Sequence, residues 1–298
     1  MTMLSAALAL VGAFVYGSAD CLGGLAARRL RSIVVTLASA LSGLVALALA
    51  LPFLGGVWSA EDVRWGIIAG GFGIVAIVLL YACLAIGPMS ILSPLTAVVS
   101  AIAPMLWGLL VNGETLSPVG YAGLGVALGA VVLVGFIPGE KVVRPSPRGL
   151  VMAVGAGLAI GGFLIVMDQT GAESGLVPLV MSRGTTAVVT TGIVVVMILV
   201  ARRRGRGAAS VLDTGTADFS RTRAWWLAIA CGVVDATANA LMLLALRAGD
   251  LSIVSALTAL YPAGTILLAA FVLRERVARV QWVGLALALV AGGMLALA

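Results

Sequence analysis

Three ionisable residues stand inside long apolar runs of this sequence: Asp20, Arg183 and Asp235. An ionisable group within a membrane span is costly, so such groups mark a pathway for solutes or an ion pair. Asn239 follows Asp235 by one helical turn, which places an acid and an amide on the same helix face. Two interpretations of Asp235 stay open: a cavity site that binds an ammonium group or a proton, and a buried ion pair with Arg183.

Arg183 carries a permanent planar cation whose geometry suits carboxylates. Together with Asp235 it could hold both ends of a zwitterionic amino acid, and a structural role that ties its helix to a neighbour is the alternative. Tyr16 precedes Asp20 by one turn, so these two residues form a face that is aromatic and acidic. Because Arg28 lies about two turns further on, Asp20 is a candidate for the pathway or for a pair with the loop arginines.

Two other apolar runs carry small hydroxylated residues at helical spacing. They are Ser93, Ala97, Ser100, Pro104 and Trp107 in the first run, and Ser255, Thr258, Pro262 and Thr265 in the second. We predict that both faces border a pathway, with helix packing, which also favours Ser and Thr, as the alternative. Pro104 and Pro262 interrupt backbone hydrogen bonding in mid-span and are candidate hinges, or else static kinks.

The other aromatic and acidic residues form two groups, those inside the apolar runs and those near the ends of the runs. Tyr81 and Tyr261 lie inside runs and are candidates to stack on an apolar substrate. The tryptophans near run ends fit the interfacial belt of a membrane protein, and Trp107 fits either group. They are Trp58, Trp65, Trp225, Trp226 and Trp282. Glu114 and Glu275 follow their runs, where we expect helix capping or loop pairing, and Asp168 reads as part of a solvated loop.

Composition predicts the element that must position these residues. Of 298 residues, 62% are hydrophobic and 10% are charged, against roughly 45–50% and 25% in soluble domains. The runs are long enough for transmembrane helices, and the short alternating segments of a barrel are missing. We predict an all-α integral membrane protein with ten spans. They cover about 4–26, 33–55, 65–86, 90–111, 118–138, 149–167, 176–200, 224–246, 251–273 and 280–298.

The chemistry that the chain lacks narrows its function. There is no histidine, which excludes histidine-based catalysis and histidine metal ligands. Cys21, Cys83 and Cys231 form no CxxC pair and fit small residues of an apolar core. We therefore expect no enzyme activity, cofactor, metal or nucleic-acid partner. The expected partners are a small-molecule substrate, the lipid bilayer and, as a further candidate, protons.

The basic residues predict the orientation of the spans. Fifteen of the 18 Lys and Arg residues lie in the loops after spans 1, 5, 7 and 9. The opposite loops hold only Arg64 and Arg247, and Arg183 lies within a span. Because cytoplasmic loops carry the excess of basic residues, we predict that both termini lie outside. The location that we expect is a bacterial-type plasma (inner) membrane.

The sequence also repeats itself. The segments 90–97 and 252–259 agree at six of eight positions, and each is followed 23 or 24 residues after its first serine by a glutamate. A unit of five spans reverses its direction in the second copy. We therefore predict two inverted five-helix repeats, residues 1–140 and 141–298, with a central cavity between them that alternates in its access to the two sides.

These motifs resemble a known family. A tight turn, an Ile-Leu-Ser-Pro-Leu helix start at 91–95, Gly113-Glu114 and a glycine-rich last helix look like the EamA domain of the drug/metabolite transporter superfamily. The second copy has Arg274-Glu275 in place of Gly-Glu, and Arg183 has no counterpart near Leu41. In length and layout the chain looks closest to bacterial amino-acid and aromatic-compound exporters of the YddG type.

The resemblance implies export of amino acids or similar metabolites from the cytoplasm without ATP hydrolysis. Multidrug or nucleotide-sugar transport is the alternative within transporters, and a non-transporting membrane scaffold is the alternative outside them. An acidic cavity would favour cationic drugs, whereas the near balance of Asp20, Arg183 and Asp235 favours zwitterions.

Overall fold

The computed structural model describes residues 2–86, 89–135, 146–205, 207, 209–212, 220–271 and 278–297. Its helices are α1 Thr2–Ala27, α2 Ser32–Leu54, α3 Ala60–Ile86, α4 Met89–Leu110, α5 Pro118–Gly135, α6 Pro147–Asp168, α7 Val177–Arg203, α8 Ala209–Leu212, α9 Arg221–Ala248, α10 Leu251–Thr258, α11 Tyr261–Phe271 and α12 Arg279–Ala296. A single 3₁₀ turn, Ala172–Ser174, lies between α6 and α7.

The helix starts follow from local chemistry. Ser146 and Ser220 accept hydrogen bonds at 3.1 and 3.3 Å from the amides three residues later, which satisfies donors that a helix start leaves free. Proline occupies the first turn of α5, α6 and α7, where its missing N–H costs nothing. The sequence alone thus accounts for where these helices begin.

The predicted helical membrane protein is confirmed. In the part of the chain that the structure describes, seven helices are long and apolar enough to cross a membrane. They are α1, α2, α3, α6, α7, α9 and α12. Shorter apolar helices lie within α4 and α5 and across 251–265. With α10 and α11 counted as one interrupted span, these helices match the ten predicted runs in order.

The ninth run departs from its prediction, because it is broken. The continuous span predicted over 251–273 is divided into α10 and α11 by a turn at Ala259 and Leu260. Pro262 explains the break, since it has no N–H for the carbonyl of Thr258 four residues earlier. The other mid-span proline, Pro104, lies within α4 without a break.

Glycine allows the helices around this break to approach closely. A Cβ on Gly17 of α1 would overlap the backbone at Tyr261 and Thr265 of α11. The Thr265 hydroxyl donates to the carbonyl of Gly17 at 3.2 Å. The abundance of glycine in apolar runs therefore serves backbone-to-backbone packing here, as expected for membrane helices.

Candidate functional site

A cavity of about 310 Å³ lies within the bundle, between α1, α2, α3, α6, α7, α9 and the break in the ninth span. This volume suits a small molecule, since ligand pockets begin at about 300 Å³. Most of the wall is apolar, and the polar residues converge from several helices. The polar and aromatic lining comprises Tyr16, Asp20, Thr36, Ser39, Phe163, Ser182, Arg183, Thr186, Cys231, Asp235, Asn239, Thr258 and Tyr261.

Arg183 and Asp235 form an ion pair in this wall. Nη2 of Arg183 on α7 donates to the Asp235 carboxylate on α9. Asn239 donates to the Asp235 carbonyl at 2.7 Å and to its carboxylate at 3.4 Å. The two charged side chains remain 19% and 22% exposed. The pair therefore faces the cavity, and Arg183 keeps further N–H donors for a ligand.

Asp20 is the uncompensated charge among the described residues that line the cavity. Its side chain is exposed there, although it lies deep in the bundle. No ion pair or hydrogen bond of its side chain is found among the described residues. Tyr16 is close enough to Asp20 and Arg183 to interact electrostatically with both. Its hydroxyl donates to the Met242 sulfur at 3.8 Å. The cavity thus presents a carboxylate and a guanidinium that both interact electrostatically with one tyrosine.

The break in the ninth span adds polar groups to the same wall. Thr258 and Tyr261, on the two sides of the break, both line the cavity. The Thr258 hydroxyl is buried and has no hydrogen-bond partner among the described residues. Leaving a buried hydroxyl unpaired costs about 1–3 kcal/mol, so a native protein retains such a group for a reason.

Not every predicted site residue belongs to this cavity. Ser100 is buried in α4, and its hydroxyl donates to the carbonyl of Ala97 at 2.8 Å. Trp107 is 39% exposed and does not line the cavity. The packing alternative thus describes Ser100, whereas Thr258, in the corresponding run of the second half, lines the cavity. The side chains of Tyr81 and Ser93 lie outside the described residues, as does Glu275.

Sequence reasoning missed several residues of the wall. Ser39 of α2 contacts the Cys231 sulfur at 3.8 Å, and Phe163 of α6 contributes an aromatic ring. Ser182 and Thr186 flank Arg183 on α7 by one residue and three. The spacing of Arg183 and Thr186 was a usable signal, because residues three apart share a helix face. Phe163 carries no such signal in a uniformly apolar run.

Polar contacts tie together the end of the bundle that holds the α6–α7 connection. Arg247 donates to the carbonyl of Ala172 at 2.7 Å and to the Ser174 hydroxyl at 2.9 Å. Asp62 accepts from the Gly171 amide at 2.8 Å. At the opposite end, the cavity reaches Gly24 near the end of α1 and Thr36 near the start of α2. These contacts join α3, α9 and the α6–α7 connection at that end of the bundle.

Glu114, in the segment after α4, caps the start of the half-helix α10. Its two carboxylate oxygens accept from the amides of Leu251 and Ser252 at 2.9 and 3.0 Å. A carboxylate at a helix start satisfies free donors and complements the helix dipole, so the capping prediction is confirmed. Burial, with the nearby Glu114 carboxylate, raises the pKa of Asp250 above its usual range.

Asp168 lies at the end of a span and next to a loop, as the sequence indicated. It is the last residue of α6, and its carboxylate accepts from the Asn112 amide at 3.0 Å. Asp168 thus joins α6 to the segment after α4.

Comparison with known proteins agrees with this architecture. A solved structure described as "Crystal structure of protein" superimposes with a TM-score of 0.69 at 16% identity, over 97% of each chain, which shows a shared fold. No curated protein matches the chain. Residues 147–297 match the EamA-like transporter family. With half of the chain matched, and a helical membrane fold that encloses a polar-lined cavity, this protein belongs to the EamA-like transporter family.

Proposed function

We propose that this transporter exports amino acids or similar small metabolites from the cytoplasm, with the cavity as its binding site. One observation carries the proposal: the same cavity presents the carboxylate of Asp20, which has no ion-pair partner among the described residues, and the guanidinium of Arg183. A zwitterion needs an acceptor for its ammonium and a donor for its carboxylate, and these two side chains supply both.

The proposal assigns the two acids differently from the sequence interpretation. There, one interpretation gave the ammonium group to Asp235, and the other gave Asp235 an ion pair with Arg183. Because Asp235 accepts from Arg183, its charge is used to hold and orient the guanidinium. Asp20, which has no described partner, is the better acceptor for the ammonium, while the remaining N–H groups of Arg183 receive the carboxylate.

Alternating access between inverted repeats, residues 1–140 and 141–298, completes the proposal. The helix packing supports it, because exchanging spans 1–5 with spans 6–10 preserves the most extensive helix pairs. The pair α3–α6 corresponds to α1–α9, and α3–α7 corresponds to α2–α9. Likewise, α4–α6 corresponds to α1 with the ninth span. Two halves that exchange conformations would open the same cavity to either side in turn.

Counterflow in proteoliposomes tests this function. Vesicles that hold the purified full-length protein are loaded with an unlabelled amino acid and given the same amino acid with a radiolabel. We expect at least one neutral amino acid to exchange faster than in protein-free vesicles. A panel of all common amino acids with no exchange would contradict the proposal. If the vesicles exchange only permanently cationic drugs, or only nucleotide sugars, that class of compound is the substrate in place of amino acids.

A pH gradient in the same vesicles tests coupling. Accumulation against a gradient that depends on the pH difference would indicate exchange for protons. Exchange that is indifferent to the gradient would indicate facilitated diffusion. Either result leaves the cavity assignment to be judged by the substrate panel.

A further inference from the structure

The break in the ninth span leaves two oxygens of one residue without their usual partners. The Thr258 hydroxyl is more than nine-tenths buried, lines the cavity and has no partner among the described residues. The Thr258 carbonyl has lost the donor of a continuous helix, since residue 262 is proline. Residues on both sides of the break face the cavity. Thr258 therefore brings an unpartnered hydroxyl to the wall of the cavity, and its carbonyl lacks the donor that a continuous helix would supply.

Asp20 belongs to the same region. Helix α1 packs against both half-helices, and Gly17, one turn before Asp20, abuts the backbone at Tyr261 and Thr265. Tyr261 follows Thr258 by three residues, and its side chain interacts electrostatically with Asp20. Asp20 and Thr258 thus both line the cavity where α1 packs against the ninth span.

We propose that Asp20 and the Thr258 break form a subsite for a primary ammonium group. A primary ammonium has three N–H donors, which match one carboxylate, one hydroxyl and one carbonyl. A quaternary ammonium has the same charge but no donor, so it gains the attraction of Asp20 and leaves both Thr258 oxygens unpaired. The subsite therefore selects primary amines over N-trimethylated analogues. This inference rests on the proposed function and specifies how its binding site discriminates.

The test compares one neutral amino acid, L-leucine, with its N-trimethyl derivative as competitors for exchange in proteoliposomes. Thr258→Val removes the hydroxyl and keeps the shape of the side chain. We expect it to weaken the competition by L-leucine about tenfold, the effect of a lost hydrogen bond to a charged group. Competition by the trimethyl derivative should not change. Thr258→Ser, which keeps the hydroxyl, should retain the preference for L-leucine.

A second variant acts on the backbone. Pro262→Ala restores an N–H for the Thr258 carbonyl and should reduce the same preference without touching a side chain of the subsite. Thr190→Val is the matched control, because Thr190 is buried in α7 and its hydroxyl already donates to the Thr186 carbonyl at 2.6 Å. We expect this control to behave as wild type.

The possible results separate the subsite from the transport function. If wild type exchanges amino acids but Thr258→Val weakens both competitors equally, or neither, the subsite is wrong and the function stands. If wild type exchanges no amine of any kind, both fail. Sodium ions use the same oxygen ligands. Thermal stabilisation by NaCl over choline chloride, lost in Thr258→Val, with no effect of L-leucine, would therefore replace the subsite with a metal-ion site.

Discussion

The guanidinium of Arg183 on α7 donates to the carboxylate of Asp235 on α9, and both groups face the central cavity. The pair unites the two interpretations that the sequence left open, since a buried ion pair and a cavity site need not exclude each other. It joins two helices and presents a charged donor to a ligand. Stability and transport measurements can separate these two contributions.

Breaking the pair on one side should lower stability and transport together. Asp235→Asn leaves Arg183 without its counter-charge. Losing one partner costs roughly 3–5 kcal/mol in a fully buried pair, and we expect less here because both side chains are about one-fifth exposed. The measurements are the melting temperature in detergent and amino-acid exchange in vesicles.

Replacing both partners should recover stability but not transport. Arg183→Met with Asp235→Leu removes two charges that are costly to bury, and such replacements are often neutral or stabilising. The double variant should therefore melt near wild type and fail to exchange amino acids. A double variant that transports normally would show that the pair is purely structural.

Asp20→Asn should strongly reduce exchange with little change in stability. Asp20 has no described partner, so its removal breaks no ion pair, while a substrate ammonium loses its counter-charge. We expect exchange to fall about tenfold or more. Glu173→Gln is the control, because Glu173 is an exposed carboxylate on the α6–α7 connection, away from the cavity. Equal losses in both variants would argue against a role of Asp20 in binding.

Glu114→Gln should weaken the cap on α10. The amide keeps one acceptor oxygen for the two amides of Leu251 and Ser252, so the melting temperature should fall by the equivalent of about 1 kcal/mol. Gly108→Ala should have a similar effect, since a Cβ at that position would overlap the Glu114 carboxylate. The two changes should not add, because both disturb the same contact. Full additivity would contradict this explanation.

Asp250→Asn should stabilise the protein, and the gain should depend on pH. The pKa of Asp250 is raised by burial and by Glu114, so its charged form is less stable in the folded protein than in the unfolded chain. The native residue therefore loses stability as pH rises from the unfolded pKa through the raised folded pKa. The melting-temperature difference from Asn should grow across that window and then level off. A constant difference would exclude this cause.

Cysteine labelling tests the orientation that the arginines predict. In a variant with Cys21, Cys83 and Cys231 replaced by serine, a membrane-impermeant maleimide is applied to intact cells. Glu173→Cys on the α6–α7 connection should react, whereas Ser220→Cys before α9 should react only after permeabilisation. The opposite pattern would reverse the proposed direction of the two termini.

The sequence by itself determined the element content and its order. Apolar runs of about 20 residues dictate helices, because lipid offers no partners for free backbone groups. It also identified Asp20, Arg183 and Asp235, since charges inside such runs are conspicuous. Proline at 262 signalled a disturbance, but the same residue type at 104 leaves α4 unbroken. The outcome depends on what packs around each proline, which the local sequence does not contain.

Only the tertiary structure decided which of these residues meet. The pairing of Arg183 with Asp235, rather than with Asp20, depends on how α7 and α9 pack. The burial of the Thr258 hydroxyl without a partner likewise depends on the helices that pack around α10, among them α4 and α1. Such contacts join residues from about fifty to more than two hundred positions apart, and helical periodicity reports only on neighbours within a few turns. Composition thus determined the membrane fold, and helix packing determined the site.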